Sequence, residues 1–474
     1  MKKYITSRSK NFSQWYTDLL LYGNLIDYGV VAGTIILKPN GYALWQKIVN
    51  NLDYRFSKYG ICNVYLPLLI PQSLFNQEKE HIKGFAPECA IVTHIGTKKL
   101  SEPLIIRPTS EVLFGAYFSK NVSTYKELPL KYNQWVNVIR WEKSNRPFLR
   151  SNEFLWHEGH SVHNNSKEAS DFAKEMMNLY VSFFKEILAI PVLFGKKSEH
   201  EKFAGAEDTY TLEALMLDGQ ALQSATSHYF GQKFAKAFDI QFTNSKNVLE
   251  YGYQTSWGLS TRVIGALVMS HSDDNGLVLP PLVAPIQIKI ITIGNLAEVN
   301  QQAELIFSQL NTKYRVVLDK SDKNVGQKFM DADLQGIPFV IEIGIRELNT
   351  NQVSVLRRDE ENRKLKKLIG LANLDEYFIS NIKSMQNDLY LKTKKRLIKH
   401  CYEVYSFKEY VEKLKQFYGF FGAWFCNNIS CEEEIKLITK TVSRCQDLEK
   451  QSENAKCFKC QQKAQGYFYF ARAY

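Results

Sequence analysis

The chain has 474 residues, 45% hydrophobic and 23% charged, with 60 Lys and Arg against 49 Asp and Glu for a net charge of +11. That length exceeds what one hydrophobic core usually serves, so two or three domains are expected, and the even composition excludes a low-complexity chain. Asp18, Asn24 and Asp27 interrupt any apolar run near the start. No stretch reaches the roughly 18 consecutive apolar residues of a membrane span. A cytoplasmic protein without a membrane partner is expected, and the basic excess favours a polyanionic partner.

From the start to about residue 283 helical and strand patterns mix. In "GYALWQKIVNNLDYRFSKYG", Leu44, Ile48, Leu52 and Phe56 recur at four-residue spacing and predict one helix face. The run "NVYLPLLIP" predicts a strand. "SEVLFGAYFSKNVSTY" predicts a helix entered through Arg107, Pro108, Thr109 and Ser110, and "KEASDFAKEMMNLYVSFFKEIL" a longer amphipathic one. Near residue 284 the texture changes. The strand-like "PIQIKIITI", "YRVVLD", "IPFVIEIG" and "QVSVLRR" alternate with the helical "LAEVNQQAELIFSQLN" and "VGQKFMDADLQ", the pattern of a compact α/β domain. From about 386 the chain turns basic and helical, then cysteine-bearing. Boundaries at 1–283, 284–385 and 386–474 follow.

The stretch "VIRWEKSNRPFLRSNEFLWHEGH", Val138 to His160, reads as two strand arms around a polar turn. With a period of two, Phe148, Arg150, Asn152, Phe154, Trp156, Glu158 and His160 share one face. Leu149, Ser151, Leu155 and His157 take the other. On the first arm Arg140 and Glu142 oppose Ile139 and Trp141. Burying such charges unpaired would cost several kcal/mol each, so the face is expected to pair them or to meet an anionic ligand. Arg262 stands in the first turn of a further predicted helix, where a cation is unfavourable unless an anion sits there.

His157, His160 and His163 in "HEGHSVH" lack the four-residue helical spacing of a zinc hydrolase, and on a strand His157 and His160 face opposite sides. The cysteines differ. Cys62 and Cys89 stand alone, whereas Cys426 and Cys431 form Cys-x4-Cys, and Cys457 and Cys460 form Cys-x2-Cys. Two close pairs suit a tetrahedral structural zinc site. Cys401 and Cys445 are expected as free thiols.

These stretches resemble the class II aminoacyl-tRNA synthetases, and among them the prolyl-tRNA synthetases of the archaeal and eukaryotic type. The resemblance covers nearly the whole chain: "GYALWQKI…VYLPLLIP", "RPTSE", the hairpin, "KFAGA", "TYTLEALM", "ATSHYFGQKFAKAFDI" and "WGLSTRVIGALVMSHSDDNGLVLPP". It implies an α+β catalytic domain, a class II antiparallel sheet flanked by helices. An α/β anticodon-binding domain and a small zinc-binding C-terminal α/β domain would follow. The implied reaction joins L-proline to ATP as prolyl-adenylate and then transfers proline to tRNA(Pro).

By this resemblance Arg140 bridges the proline carboxylate and the α-phosphate. Glu142, Arg150, Ser151, Gln223, Thr226 and Arg262 serve ATP, with Mg2+ among the phosphates. Thr109, Glu111, Phe154, Trp156, Glu158, His160, Phe203, His228 and Ser260 surround proline. Guanidinium suits these tasks because its fork matches phosphate and carboxylate oxygens. The family's first motif implies a homodimer. The stretch from His160 to Trp257 is too short for an inserted editing domain, and an apolar pocket discriminates poorly against smaller side chains. Mischarged alanyl-tRNA is therefore not expected to be cleared in cis. Arg346 is a candidate for base contact, and Lys and Arg between 357 and 399 for tRNA phosphates. The terminal Tyr474 is expected near the active site. A binding protein on the same scaffold would typically lose the phosphate-binding arginines, yet Arg140, Arg150 and Arg262 are all present. One departure stands out: Ser151 and Asn152 occupy positions where the family commonly has threonine and arginine. Arg146 or Lys143 in the turn could compensate.

Overall fold

A computed structural model of the chain describes residues 5–77, 89–360 and 365–474. Helix Pro39–Ser57 buries Leu44, Ile48, Leu52 and Phe56 on the face their spacing predicts. "NVYLPLLIP" is not one strand: only Cys62–Asn63 and Leu69–Pro71 pair, and with different sheets. Pro67, which has no N–H donor, lies between them. The next predicted helix is Glu111–Asn121, and the long amphipathic one is Ser166–Phe183 continued by a π-turn, Phe184–Leu188.

The catalytic sheet is antiparallel apart from one edge. Leu130–Ile139 pairs with Glu153–His163, followed by Tyr253–Ser260, Ala221–Gly231, Asp208–Leu215 and Val192–Lys196. Helix Ser166–Phe183 covers one face. There His157 is buried, 2.7 Å from Tyr180 Oη and 2.8 Å from Asn133 Oδ1. The opposite face carries Trp156, Glu158 and His160. Gly159 lies between them because Trp257 crosses the strand: a Cβ at Gly159 would stand 2.0 Å from the indole.

The middle unit is a five-stranded sheet in the order Val316–Leu318, Ile288–Thr292, Phe339–Ile343, Gln352–Arg357, Lys367–Gly370. Its first three strands are parallel. Helices Ala297–Leu310 and Val325–Leu334 alternate with its strands, as the sequence predicts, and helix Leu374–Lys399 follows them, starting before the helical stretch expected from about 386.

The last unit does not build a separate sheet. Its strands Cys401–Glu403, Phe420–Phe425, Gly466–Ala471 and Val442–Asp447 extend the catalytic sheet, joined where Gln446 pairs with Lys196. The result is one 11-stranded sheet running through both units. Tyr474 closes the junction, donating its backbone N–H to Ala221 O at 3.2 Å.

Candidate active site

Sheet register assembles the site in two cross-strand rows. One row aligns Gln134, Glu158, Gly258, Thr226 and Thr211. The next aligns Tyr132, His160, Ser256, His228 and Thr209. Above them lies a cavity of about 170 Å³ whose walls include Thr109, Glu111, Arg140, Trp156, Phe203 and Gln223. A second compartment of about 110 Å³ shares Arg140, Trp156, Gln223 and Thr226 and adds Phe154, Ser260 and Arg262. A larger cleft of about 620 Å³ lies in the middle unit, lined by Asp319, Lys320, Lys323 and Lys328. Its volume is no guide to chemistry: Lys320 pairs with Glu304, Lys323 with Asp331, and Lys328 with Asp319.

At one end of the 170 Å³ cavity sits a carboxylate cluster. Glu158 accepts from Ser110 N at 3.0 Å, Ser110 Oγ at 2.5 Å and Gln134 Nε2 at 2.8 Å. Thr109 Oγ1 donates to Glu111 Oε2 at 2.5 Å, and His160 Nε2 stands 3.5 Å from Glu158. Burial alone would raise the Glu158 pKa, but His160, Ser110 and Arg107 together hold it below the ordinary carboxylate range. His228 shares a hydrogen bond with Thr209 Oγ1 at 3.0 Å, and burial lowers its pKa to about 3, so its ring is neutral. The Phe203 ring lies tilted against it, with the ring centroids 4.5 Å apart. Two carboxylates and neutral rings suit a cationic amine on a small apolar body.

At the other end stand the arginines. Arg140 donates from Nε to Pro108 O at 2.9 Å, with its guanidinium carbon 5.6 Å from the Phe154 ring and 5.0 Å from the Trp156 ring. Arg262 opens helix Arg262–His271 and is pinned to Leu149 O at 3.1 Å and Gln223 O at 3.4 Å. Burial, then the charges of Arg140, Arg150 and Arg444, lower its pKa to about 10, still far above neutrality. Arg150 lies 3.7 Å from Glu142. Ser260 Oγ accepts the Arg262 N–H at 3.2 Å, and Ser151 Oγ is buried with no hydrogen-bond partner among the described residues. Such a concentration of fixed positive charge is a preorganised seat for phosphate and carboxylate oxygens.

The structure corrects several expectations in this region. The second arm begins only at Glu153, so Phe148 and Arg150 do not continue its face. Phe148 adopts φ 62° and turns into the core, and Arg146 and Arg150 form a tight backbone bridge. Trp141, which the sequence places on the face opposite Arg140, is 52% exposed. Arg146 does not replace a missing phosphate-side charge. Its guanidinium carbon sits between the rings of Tyr16 and Tyr474, at 5.1 and 4.9 Å. Asn152 is 2% exposed and acts as a structural tie: Oδ1 accepts from Glu142 N at 3.0 Å, and Nδ2 donates to Ala32 O at 3.0 Å. Its backbone N–H reaches Gly33 O at 2.9 Å. Gly33 has φ 80°, and a Cβ there would meet Asn152 Nδ2 at 2.5 Å.

Sequence reading missed Ser110, Gln134, Thr209, Lys197 and Ser256 as members of the site. The register of strands distant in sequence brings in Gln134, Thr209 and Ser256, whereas Ser110 caps helix Glu111–Asn121 and Lys197 follows strand Val192–Lys196. The basic stretch also changes meaning. Arg357 pairs with Asp359 and Asp388, Arg358 with Asp273, and Arg396 donates to Ser270 O at 3.0 Å. Those arginines are committed within the fold, whereas Lys383, Lys392, Lys394, Lys395 and Lys399 are exposed. Arg363 and Lys364 lie outside the described residues.

In the last unit the Sγ atoms of Cys426, Cys431, Cys457 and Cys460 all lie within 4.8 Å of one another. Cys401 and Cys445 stand apart, Cys445 fully buried. Burial and neighbouring sulfurs raise the Cys426 pKa to about 12 and that of Cys431 further still. Four thiols this close are unfavourable as bare thiolates, and a divalent cation reverses that. The cluster fits a metal ion.

An antiparallel sheet with arginines on one face, a carboxylate pocket beside them and an α/β unit behind defines a class II aminoacyl-tRNA synthetase. The family model for the tRNA synthetase class II core domain (G, H, P, S and T) matches residues 94–271. The anticodon binding domain matches 283–381, and the prolyl-tRNA synthetase C-terminal domain 407–474. Proline–tRNA ligase of Mycoplasma mycoides subsp. mycoides is 50% identical over 99% of this chain and 98% of that protein. Proline–tRNA ligase of Ruminiclostridium cellulolyticum is 45% identical over 99% and 98%. A Cryptosporidium parvum prolyl-tRNA synthetase solved with halofuginone and AMPPNP superposes with TM-score 0.94 at 36% identity, covering all of both chains. The same enzyme with L-proline and AMP gives 0.93 at 34% identity, covering 100% of this chain and 98% of that one. The chain belongs to the prolyl-tRNA synthetases, the class II proline–tRNA ligases. The narrower expectation of an archaeal and eukaryotic type is not borne out, since these curated relatives at 45 and 50% identity are bacterial.

Proposed function

We propose that this chain activates L-proline with ATP and transfers it to tRNA(Pro). The observation that carries the reading is one small cavity with Glu111 and Glu158 at one end, Arg140 at the other, and the flat rings of Trp156 and Phe203 in its walls. Proline is a compact apolar ring bearing a secondary ammonium and a carboxylate, and it matches that polarity end for end. Thr109, Glu111, Glu158 and His160 receive the ammonium side. Phe154, Trp156, Phe203, His228 and Ser260 border the ring. Arg140 holds the carboxylate against the α-phosphorus, and Glu142 sets Arg140 and the nucleotide.

Arg150, Ser151, Gln223, Thr226 and Arg262 serve ATP, whose outer phosphates Mg2+ would bridge. The reaction needs alignment and charge rather than a proton acceptor: the carboxylate is already a nucleophile, and pyrophosphate leaves as an anion. The cysteine cluster holds zinc as a structural ion. The exposed lysines of helix Leu374–Lys399 and Arg346 meet tRNA. The chain works as a homodimer, a reading supported by the exposed aromatic and apolar side chains Tyr28, Val30, Tyr42 and Tyr54. Domains 1–283, 284–385 and 386–474 carry activation, anticodon binding and the metal.

The test is ATP–pyrophosphate exchange with each of the twenty amino acids. Exchange dependent on proline is expected, and Arg140→Ala should abolish it while the circular dichroism spectrum stays unchanged. Absence of exchange with every amino acid would overturn the reading.

A further inference from the structure

A buried ion cluster joins the last unit to the floor of the active site, and none of the roles above uses it. Glu213, fully buried on Asp208–Leu215, receives four hydrogen bonds. Thr211 Oγ1 and Lys197 Nζ donate to Oε1 at 2.9 and 3.1 Å, and Arg444 Nε and Nη2 donate to Oε2 at 2.9 and 2.8 Å. Lys197 and Arg444 are 4% and 5% exposed. Arg444 comes from strand Val442–Asp447 of the last unit, whereas Lys197 lines the same cavity as Thr109, Arg140 and Gln223. The Lys197 N–H donates to Thr209 O at 2.8 Å while its Nζ reaches Glu213. Its stem therefore runs along the pocket floor from the Thr209–His228 pair to the Glu213–Gln223 pair.

Two cations, Lys197 and Arg444, surround one anion, Glu213, beside a cavity that holds Arg140 as well as the carboxylates Glu111, Glu158 and Glu201. Burial would raise the Glu213 pKa, yet Arg444 and Lys197 hold it below the ordinary range, so it stays ionised. Arg444 supplies both donors to Oε2. Without it a buried carboxylate oxygen is left bare, and Glu213 must turn or protonate, releasing Lys197. Arg444 is itself held in place. Its neighbour Ser443 Oγ lies 2.5 Å from Glu432 Oε1 and 3.0 Å from Ser198 Oγ, and Glu432 follows Cys431 of the thiol cluster.

We propose that Arg444 is a positioning residue for proline activation: by clamping Glu213 it fixes the Lys197 ammonium in the active-site wall. The last unit thereby contributes to the electrostatics of the catalytic centre across the shared sheet. This rests on the activation reading above, and wild-type exchange with proline checks that reading separately.

The experiment is a double-mutant cycle of Arg444→Met and Lys197→Met in full-length protein, read as kcat/KM of proline-dependent exchange. Each single variant should lose on the order of tenfold to a hundredfold, the scale of a lost charge-assisted hydrogen bond. The double variant should be no worse than Lys197→Met alone, because Arg444 acts through Lys197. Arg444→Lys, which keeps the charge and one donor, should recover part of the activity only when Lys197 is present. Losses that multiply, or an unaffected Lys197→Met, would overturn the proposal. Should Arg444→Met not fold, the cycle run with Arg444→Lys decides the same question, and multiplying losses there count equally against it.

Discussion

Glu158→Gln tests the central electrostatic argument most directly. The wild-type carboxylate, 2% exposed, receives three donors, Ser110 N, Ser110 Oγ and Gln134 Nε2. A glutamine keeps one oxygen, which can stay on the Ser110 N–H. The Ser110 hydroxyl can rotate to accept from the new amide. Gln134 Nε2 keeps its bond to Ser110 Oγ at 2.8 Å but loses the acceptor at Glu158, because Gln134 Oε1 already accepts from Leu66 N at 3.0 Å and fixes the amide orientation. One buried donor then faces another, costing about 1–3 kcal/mol, and the remaining bonds lose their charge assistance at about 1 kcal/mol each. The sum is on the order of 3–5 kcal/mol, measurable by urea denaturation. The pH dependence carries a sign. A carboxylate whose folded pKa is depressed contributes stability that is full above its unfolded value near 4.3 and lost as pH falls through the folded value. The gap between wild type and Glu158→Gln should therefore be wide at pH 7 and narrow below about pH 4. Equal stability at pH 7, or a gap that widens in acid, would refute the reasoning.

Gly159→Ala should destabilise by about 1–3 kcal/mol in the same assay, since its methyl would overlap the Trp257 ring. Purified protein should contain one zinc per chain by mass spectrometry. Cys457→Ser should lose it and lower the thermal midpoint by more than about 5 °C.

Much of the site was legible because strand periodicity is local. From Glu153 to His160 the alternation holds, and Trp156, Glu158 and His160 share the face it assigns them. It failed at Phe148 and Arg150, where φ 62° at Phe148 ends the extended backbone on which a period of two depends. Cysteine spacing worked for a similar reason: each pair is close in sequence, and thiolate chemistry limits what the two pairs can do together. Contacts between remote segments were not legible. Nothing near Arg146 announces Tyr474 as its neighbour. Nor does the basic run after residue 357 reveal that Arg358 is spoken for by Asp273. The Asn152 departure became intelligible only with Ala32 and Gly33 beside it, as an exchange of a cation for a backbone tie.

The shared sheet has a consequence for how this protein can be cut. Strand Val192–Lys196 would be an edge of the catalytic sheet if the chain stopped after the middle unit, and Val442–Asp447 is what covers it. Unpaired N–H and C=O groups along a strand recruit other strands, including those of identical molecules. The last unit is therefore also a seal against self-association, and a shortened chain would be expected to clump before it could be assayed.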